Sequence, residues 1–147
     1  MLEQNDVMKK EEAFRVNPVT LAFIGDAVYT LYVREKLVRS CEAKPSAYQA
    51  SAAKILSAVA QSAAIEKMIS AFTEDEAEVY RRGRNAKKAT KSKHASVGEY
   101  NRSTGLEAVI GYLYLSGEKE RINELLSLLA EEDFSVKTPV EPYKGQR

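Results

Sequence analysis

Residues 17–39 constrain this chain more than any other stretch. Between Val19 and Val33 only Thr20, Gly25, Asp26 and Thr30 interrupt an otherwise apolar run, and Asp26 stands near its centre. Asn17-Pro18 supplies a start signal, because asparagine is a favoured N-cap and proline is tolerated at the first helical position. Arg34, Lys36 and Arg39 place cations towards the other end, where the helix dipole favours them. Apolar residues on all sides predict a buried central helix. The run is shorter than the roughly 20 residues a bilayer core needs and carries a central acid, so it does not read as a membrane span. Gly25 weakens a helix by about 0.5–1 kcal/mol against alanine, which points to close approach of a neighbour there. A carboxylate carried into an apolar interior costs roughly several kcal/mol unless it is paired, hydrogen-bonded or bound to a cation. Asp26 is therefore expected to be buried and to have a partner.

The 147 residues are long enough to bury about two-thirds of their unfolded surface around one core. Residues 1–16 read as a lead-in anchored by Val7, Met8 and Phe14, residues 17–133 as the domain, and residues 134–147 as a C-terminal tail. The Ala- and Ser-rich stretch 46–71 reads as helix, with Ile55, Leu56, Val59, Ala63 and Ile65 on its apolar side. Thr73-x-x-Glu76 has the form of a capping box, and Gly83 reads as the stop of the helix it opens. A further helix is expected over 103–116, starting at Ser103 or Thr104. A last one is expected over 118–131, with Ile122, Leu125, Leu126 and Leu129 on one face. No segment alternates with period two, so the expected fold class is all-α, with about five to seven helices. One cysteine, Cys41, cannot form an internal disulfide and suits a reducing compartment. No basic segment leading into an apolar one signals export, so a cytoplasmic location is expected.

The second carboxylate of interest is Glu107, at the head of an apolar helix face and flanked by Gly105 and Gly111. If that helix packs on the first one near Gly25, Asp26 and Glu107 converge, and two carboxylates are enough to hold a Mg²⁺ that keeps several waters. Structural alternatives stand beside this. Thr104-x-x-Glu107 is also a capping-box pattern, and Asp26 could pair with a buried arginine or lysine. From Arg81 to His94 come seven cations, Arg81, Arg82, Arg84, Lys87, Lys88, Lys91 and Lys93, and no acid. This stretch reads as a loop. Its charge can neutralise phosphates with little sequence preference, or be no more than a solvated segment. His94 reads as a loop residue touching RNA. Tyr29, Tyr32, Tyr112 and Tyr114 read as core.

The segments LAFIGDAVYTLYVRE and LEAVIGYLYLSG resemble the signature helix and the second carboxylate motif of the ribonuclease III family, in the family's order. The resemblance extends over most of residues 17–132 and is closest to the shortest members, which carry no separate double-stranded-RNA-binding domain. It implies an all-helical endonuclease domain that works as a homodimer. The implied reaction is Mg²⁺-dependent hydrolysis of double-stranded RNA to 5′-phosphate and 3′-hydroxyl ends. It also implies that Asp26 and Glu107 are the catalytic and metal-binding residues, that precursor 23S ribosomal RNA is the substrate, and that pre-ribosomal particle proteins could assist. Larger members carry a glutamate four residues before the aspartate and an aspartate three before the glutamate. This chain has Ala22 and Thr104 there, so one well-held ion is expected rather than two. With the chain ending at Arg147, no further RNA-binding domain is expected, and the 81–94 segment is the implied grip on RNA. The alternatives are a catalytically inactive RNA-binding ribosome-assembly factor of the same fold and a helical dimerisation module.

Overall fold

The structure, a computed structural model, describes residues 6–88, 94–130 and 134–136. Among them are α1 (Lys10–Arg15), α2 (Pro18–Ser40), α3 (Pro45–Ile55), α4 (Ala58–Met68), α5 (Glu74–Asn85), α6 (Val97–Leu115) and α7 (Lys119–Leu126), with a single 3-10 turn over Ile69–Ala71 and no strand. The chain is all-α, as its periodicity predicts.

The start of α2 is the one expected, since the Asn17 side chain accepts from the Val19 N–H at 2.8 Å and Pro18 occupies the first turn. The expected all-round burial is not. Leu21, Ala22, Gly25, Val28, Tyr29, Val33 and Leu37 are buried, whereas Phe23 is 81% exposed and Val38 61%, with Leu31 and Val19 also open. The helix enclosed on all sides is α6. Every residue from Ser103 to Leu113 is buried except Glu107, and α2, α4 and α5 all pack on it.

α6 also begins earlier than its apolar face. Ser96 caps it through the Glu99 N–H at 3.1 Å, and the Glu99 carboxylate accepts from the Ser96 N–H at 2.9 Å. The capping box is thus Ser96-x-x-Glu99, two turns before Thr104, and residues 97–102, none of them buried, form the first turns of the helix. The 46–71 stretch is two helices rather than one. Ser57 caps α4 at the break, and the buried face of the pair is Ser51, Ala52, Gln61, Ser62, Ala64, Ile65 and Met68, while Val59 and Ala63 face outward. Small and polar residues lie inward because α4 sits close to α6, and the periodicity of its apolar residues alone does not show that.

The Thr73–Glu76 capping box forms as expected. Glu76 is also gripped from α7 by Arg121, at 2.8 and 2.9 Å. Burial opposes its ionisation, but Arg121 and the Thr73 N–H outweigh that and hold its carboxyl below the usual range. Gly83 does not stop α5, which continues to Asn85. It lies against α6, where an added Cβ would come within 3.0 Å of Ala108 and Gly105. α7 ends at Leu126 and keeps Ile122, Leu125 and Leu126 buried, with Leu129 just beyond. At the other end of the chain, the Met8 N–H donates to the Leu115 carbonyl at 2.9 Å.

The tightest contact in the fold is the crossing of α2 and α6. A Cβ built on Gly25 would overlap the Glu107 carbonyl, and one on Gly111 would overlap the Leu21 carbonyl. The two backbones touch through paired glycines, and no side chain fits between them. Gly111→Ala is therefore expected to force the helices apart and to destabilise the protein by roughly 3 kcal/mol or more, at or above the upper end for overpacking. Chemical denaturation measures this, and a change within about 0.5 kcal/mol would contradict the close approach.

Candidate active site

The glycine crossing decides where the carboxylates lie. Gly25 rests on the Glu107 backbone, so Asp26, the next residue, is carried to the side of the crossing from which Glu107 projects. The two carboxyl groups share a hydrogen bond. Asp26 is exposed, contrary to the expected burial. At 100° per residue it falls at the border between the buried face of α2 and the open stripe of Val19, Phe23, Leu31 and Val38. Glu107 carries the burden of burial instead. It is half-buried, in an otherwise closed stretch of α6.

Burial pushes the Glu107 carboxyl up to about 8, helped by the hydrogen bond and charge of Asp26, and Gln61 pulls it the other way. At neutral pH without a cation, Glu107 thus keeps its proton. The Gln61 amide donates to Glu107 Oε2 at 3.3 Å and to the Leu56 carbonyl at 3.0 Å. The capping alternative for Glu107 falls away, because Thr104 and Glu107 are both inside α6 and the Thr104 hydroxyl donates to the Tyr100 carbonyl at 3.1 Å.

Two carboxyl groups held against each other, one at the protein surface and one raised by burial, with no cation among the groups acting on Glu107, fit a divalent ion. A cation would replace the shared proton and reward ionisation of both. Among the described residues no cluster of three or more histidine, cysteine or acidic side chains forms a fuller cage. Ala22 and Thr104 are buried and offer no carboxylate. Two protein carboxylates with the remaining positions left to water or phosphate oxygens is the coordination Mg²⁺ favours.

The cationic stretch is not one loop. Arg81, Arg82 and Arg84 lie on α5. Arg82 reaches back to the Phe14 and Val16 carbonyls, at 2.6 and 3.2 Å, and stacks on the Phe14 ring, so it ties α5 to the α1–α2 junction. Arg81 pairs with Glu78 at 2.9 Å, and Arg84 lies over the Tyr80 ring. Lys88 folds onto the Ala86 carbonyl at 2.7 Å, and burial lowers its pKa. Lys87 and His94 are exposed; Lys91 and Lys93 lie outside the described residues. Gln61, beside the carboxylates, carries no signal in the sequence beyond being a lone amide in an Ala- and Ser-rich stretch.

Comparison with known proteins shows the family of the chain. The Ribonuclease III domain family matches residues 19–118, which include both carboxylates. The chain is 39% identical over 127 residues to Mini-ribonuclease 3 of a Thermoanaerobacter species, covering 86% of this chain and 89% of the relative. It is 44% identical over 114 residues to Mini-ribonuclease 3 of Streptococcus pneumoniae, covering 76% and 89%. A crystal structure of a Fusobacterium nucleatum protein superposes with a TM-score of 0.72 at 27% identity, covering 82% of this chain and 95% of that one.

The raised Glu107 has a consequence for stability. Its carboxyl ionises near 4.5 in the unfolded chain and near 8 in the folded one. Across that window the folded protein keeps a proton that the unfolded chain releases. The stabilisation is thus fully present below pH 4.5 and is lost as pH rises through 8, by a few kcal/mol at most. Glu107→Gln removes the titration. Without divalent cation it should melt several degrees above the wild type at pH 9 and together with it at pH 5, and thermal melts across that range would show whether the two curves diverge.

Proposed function

We propose, from the premise that this chain belongs to the ribonuclease III family and is an endoribonuclease, that it cuts double-stranded RNA with Mg²⁺ held between Asp26 and Glu107. We further propose as substrate the stem formed by the paired 5′ and 3′ ends of precursor 23S ribosomal RNA. The convergence of Asp26 and Glu107 at the α2–α6 crossing carries the catalytic part of this reading. The rRNA assignment rests on the family likeness.

Asp26 and Glu107 would together hold the ion. Asp26 faces solvent, where RNA arrives, and Glu107 faces the interior and gives up its proton as the site loads. Bound Mg²⁺ supplies a Lewis acid that polarises the scissile phosphate and makes a water easier to deprotonate. With Ala22 and Thr104 adding no carboxylate, each site would hold one ion tightly. Burial around Glu107 keeps the local dielectric low on the protein side, which strengthens the attraction between the carboxylate and the cation.

The open apolar stripe on α2 supports a homodimer. Phe23, Leu31, Val38 and Val19 lie along one side of a single helix, and an exposed stripe of this kind marks a contact surface. One site per protomer then accounts for cutting both strands. RNA is gripped through its backbone and shape, as A-form duplexes require. Lys87 and His94 form the positive edge, flanked by Arg81, Arg84 and Lys88, and the sequence adds Lys91 and Lys93 to the same stretch. Arg82 serves the fold. Help from pre-ribosomal particle proteins is compatible with so small a basic surface.

The decisive experiment is cleavage of a labelled duplex that mimics the paired precursor ends, with Mg²⁺ or EDTA, for wild type, Asp26→Asn and Phe23→Asp. Cleavage is expected only for wild type with Mg²⁺, while Asp26→Asn stays dimeric and Phe23→Asp sediments as a monomer. Metal-independent cleavage, or full activity in Asp26→Asn, would overturn the reading of the site. A dimeric Phe23→Asp would overturn the interface.

Replacing Lys87, Lys88, Lys91 and Lys93 with alanine should weaken duplex binding and flatten its salt dependence, by a slope of about one for each phosphate no longer neutralised. An unchanged slope of log Kd against log salt would remove this stretch from the RNA surface.

A further inference from the structure

Gln61 lies on the first turn of α4, is 3% exposed, and belongs to no motif read from the sequence. Its surroundings fix it unusually well. α3 ends at Ile55 with Leu56 as its C-cap, and Ser57 caps the next helix by accepting from the Ala60 N–H at 3.1 Å. The break turns the Leu56 carbonyl towards the Gln61 side chain, whose amide nitrogen donates to it at 3.0 Å. Only the NH₂ end of an amide can serve a carbonyl, so this hydrogen bond sets which way the group points. The second N–H of the same nitrogen is then left for Glu107 Oε2, at 3.3 Å. On the next residue, the Ser62 hydroxyl accepts from Arg102 Nε at 2.6 Å and so latches α4 to α6 beside this pair.

We propose that Gln61 is the positioning residue of Glu107, holding its carboxylate in the orientation in which, with Asp26, it takes a divalent cation. This rests on the metal reading of the Asp26–Glu107 pair. A purely structural role, capping the Leu56 carbonyl, leaves one fact without a reason. Gln61 Oε1 is the one buried side-chain polar atom without a hydrogen-bond partner among the described residues. Such an orphan acceptor costs about 1–3 kcal/mol. The fold accepts that cost to keep an amide beside Glu107. Neutral donors that orient a metal-binding carboxylate commonly set its affinity by about 10- to 100-fold.

The test is a Mn²⁺ titration of the full chain followed by electron paramagnetic resonance, with Mg²⁺ as competitor. It compares wild type, Gln61→Met, Gln61→Asn and Asp26→Asn, each checked for folding by circular dichroism. Gln61→Met keeps the volume and removes the donors; Gln61→Asn keeps the amide on a side chain too short to reach both partners. Both are expected to bind Mn²⁺ about tenfold or more weaker than wild type while remaining folded, with cleavage recovering at high Mg²⁺. Wild-type affinity in either folded variant overturns the proposal, whatever its melting temperature, and if Gln61→Met does not fold, Gln61→Asn decides alone. A wild type that takes up no ion, or an Asp26→Asn that binds as wild type does, overturns the metal reading itself and Gln61's role with it.

Discussion

The contact of the α2 and α6 backbones through Gly25 and Gly111 is what the rest of the structure depends on. Glycine gives up helix stability at both positions, by about 0.5–1 kcal/mol each, and the return is geometric. Once the Glu107 carbonyl touches Gly25 and the Leu21 carbonyl touches Gly111, the two helices have one register and one crossing point. Residues one step from the crossing are then placed with little freedom. Asp26 is one step from Gly25, and Glu107 itself is part of the crossing, so two acids 81 positions apart in the chain meet without any loop having to hold them. A site built on helices in backbone contact is more rigid than one built on loops.

That placement creates an electrostatic tension which the fold does not relieve. Buried residues surround Glu107, Asp26 lies against it, and only the neutral Gln61 amide favours its charged form, so its carboxyl ionises near 8. A chain selected for stability alone would put an apolar residue there, since replacing a buried charged group by a well-packed apolar one is often neutral or favourable. Glu76 shows how this fold treats a structural carboxylate. It is 3% exposed, yet Arg121 and the Thr73 N–H answer both its oxygens. Glu76 is fully answered and Glu107 is left against a second acid, and that contrast supports the proposed metal-binding role of Glu107.

Much of this is legible in the sequence, for identifiable reasons. Asn17-Pro18 and Thr73-x-x-Glu76 announce helix starts through local chemistry, and both form. Gly25 and Gly111 announce close approach, and they do meet. What the sequence hides is which helix is central. α2 and α6 have similar apolar runs, and only the tertiary arrangement shows that α6 is enclosed while Phe23 and Val38 on α2 stand in solvent. Asp26 misleads for the same reason, because a carboxylate amid apolar neighbours looks buried when two of those neighbours, Phe23 and Ala27, in fact face outward. Gly83 looks like a stop because helix-ending glycines and helix-contact glycines are identical in sequence. Arg82 looks like one more free cation, and its partners are the carbonyls of Phe14 and Val16, which no spacing rule connects to it. Gln61 is invisible because its role depends on a carbonyl exposed by a break between two helices that read as one.

The position of Asp26 on α2 links the features that otherwise seem separate. It lies at the edge of the face that packs on α6 and equally at the edge of the exposed apolar stripe. A carboxylate deeper in the first face would be sealed from RNA by the core, and one in the middle of the stripe would sit where the proposed second copy covers it. At this border an acid stays open to solvent and has Glu107 within reach. Two such sites on a symmetric pair of α2 helices would also have their separation fixed by the same helices. In such a dimer the spacing between cuts on a duplex would follow from the interface.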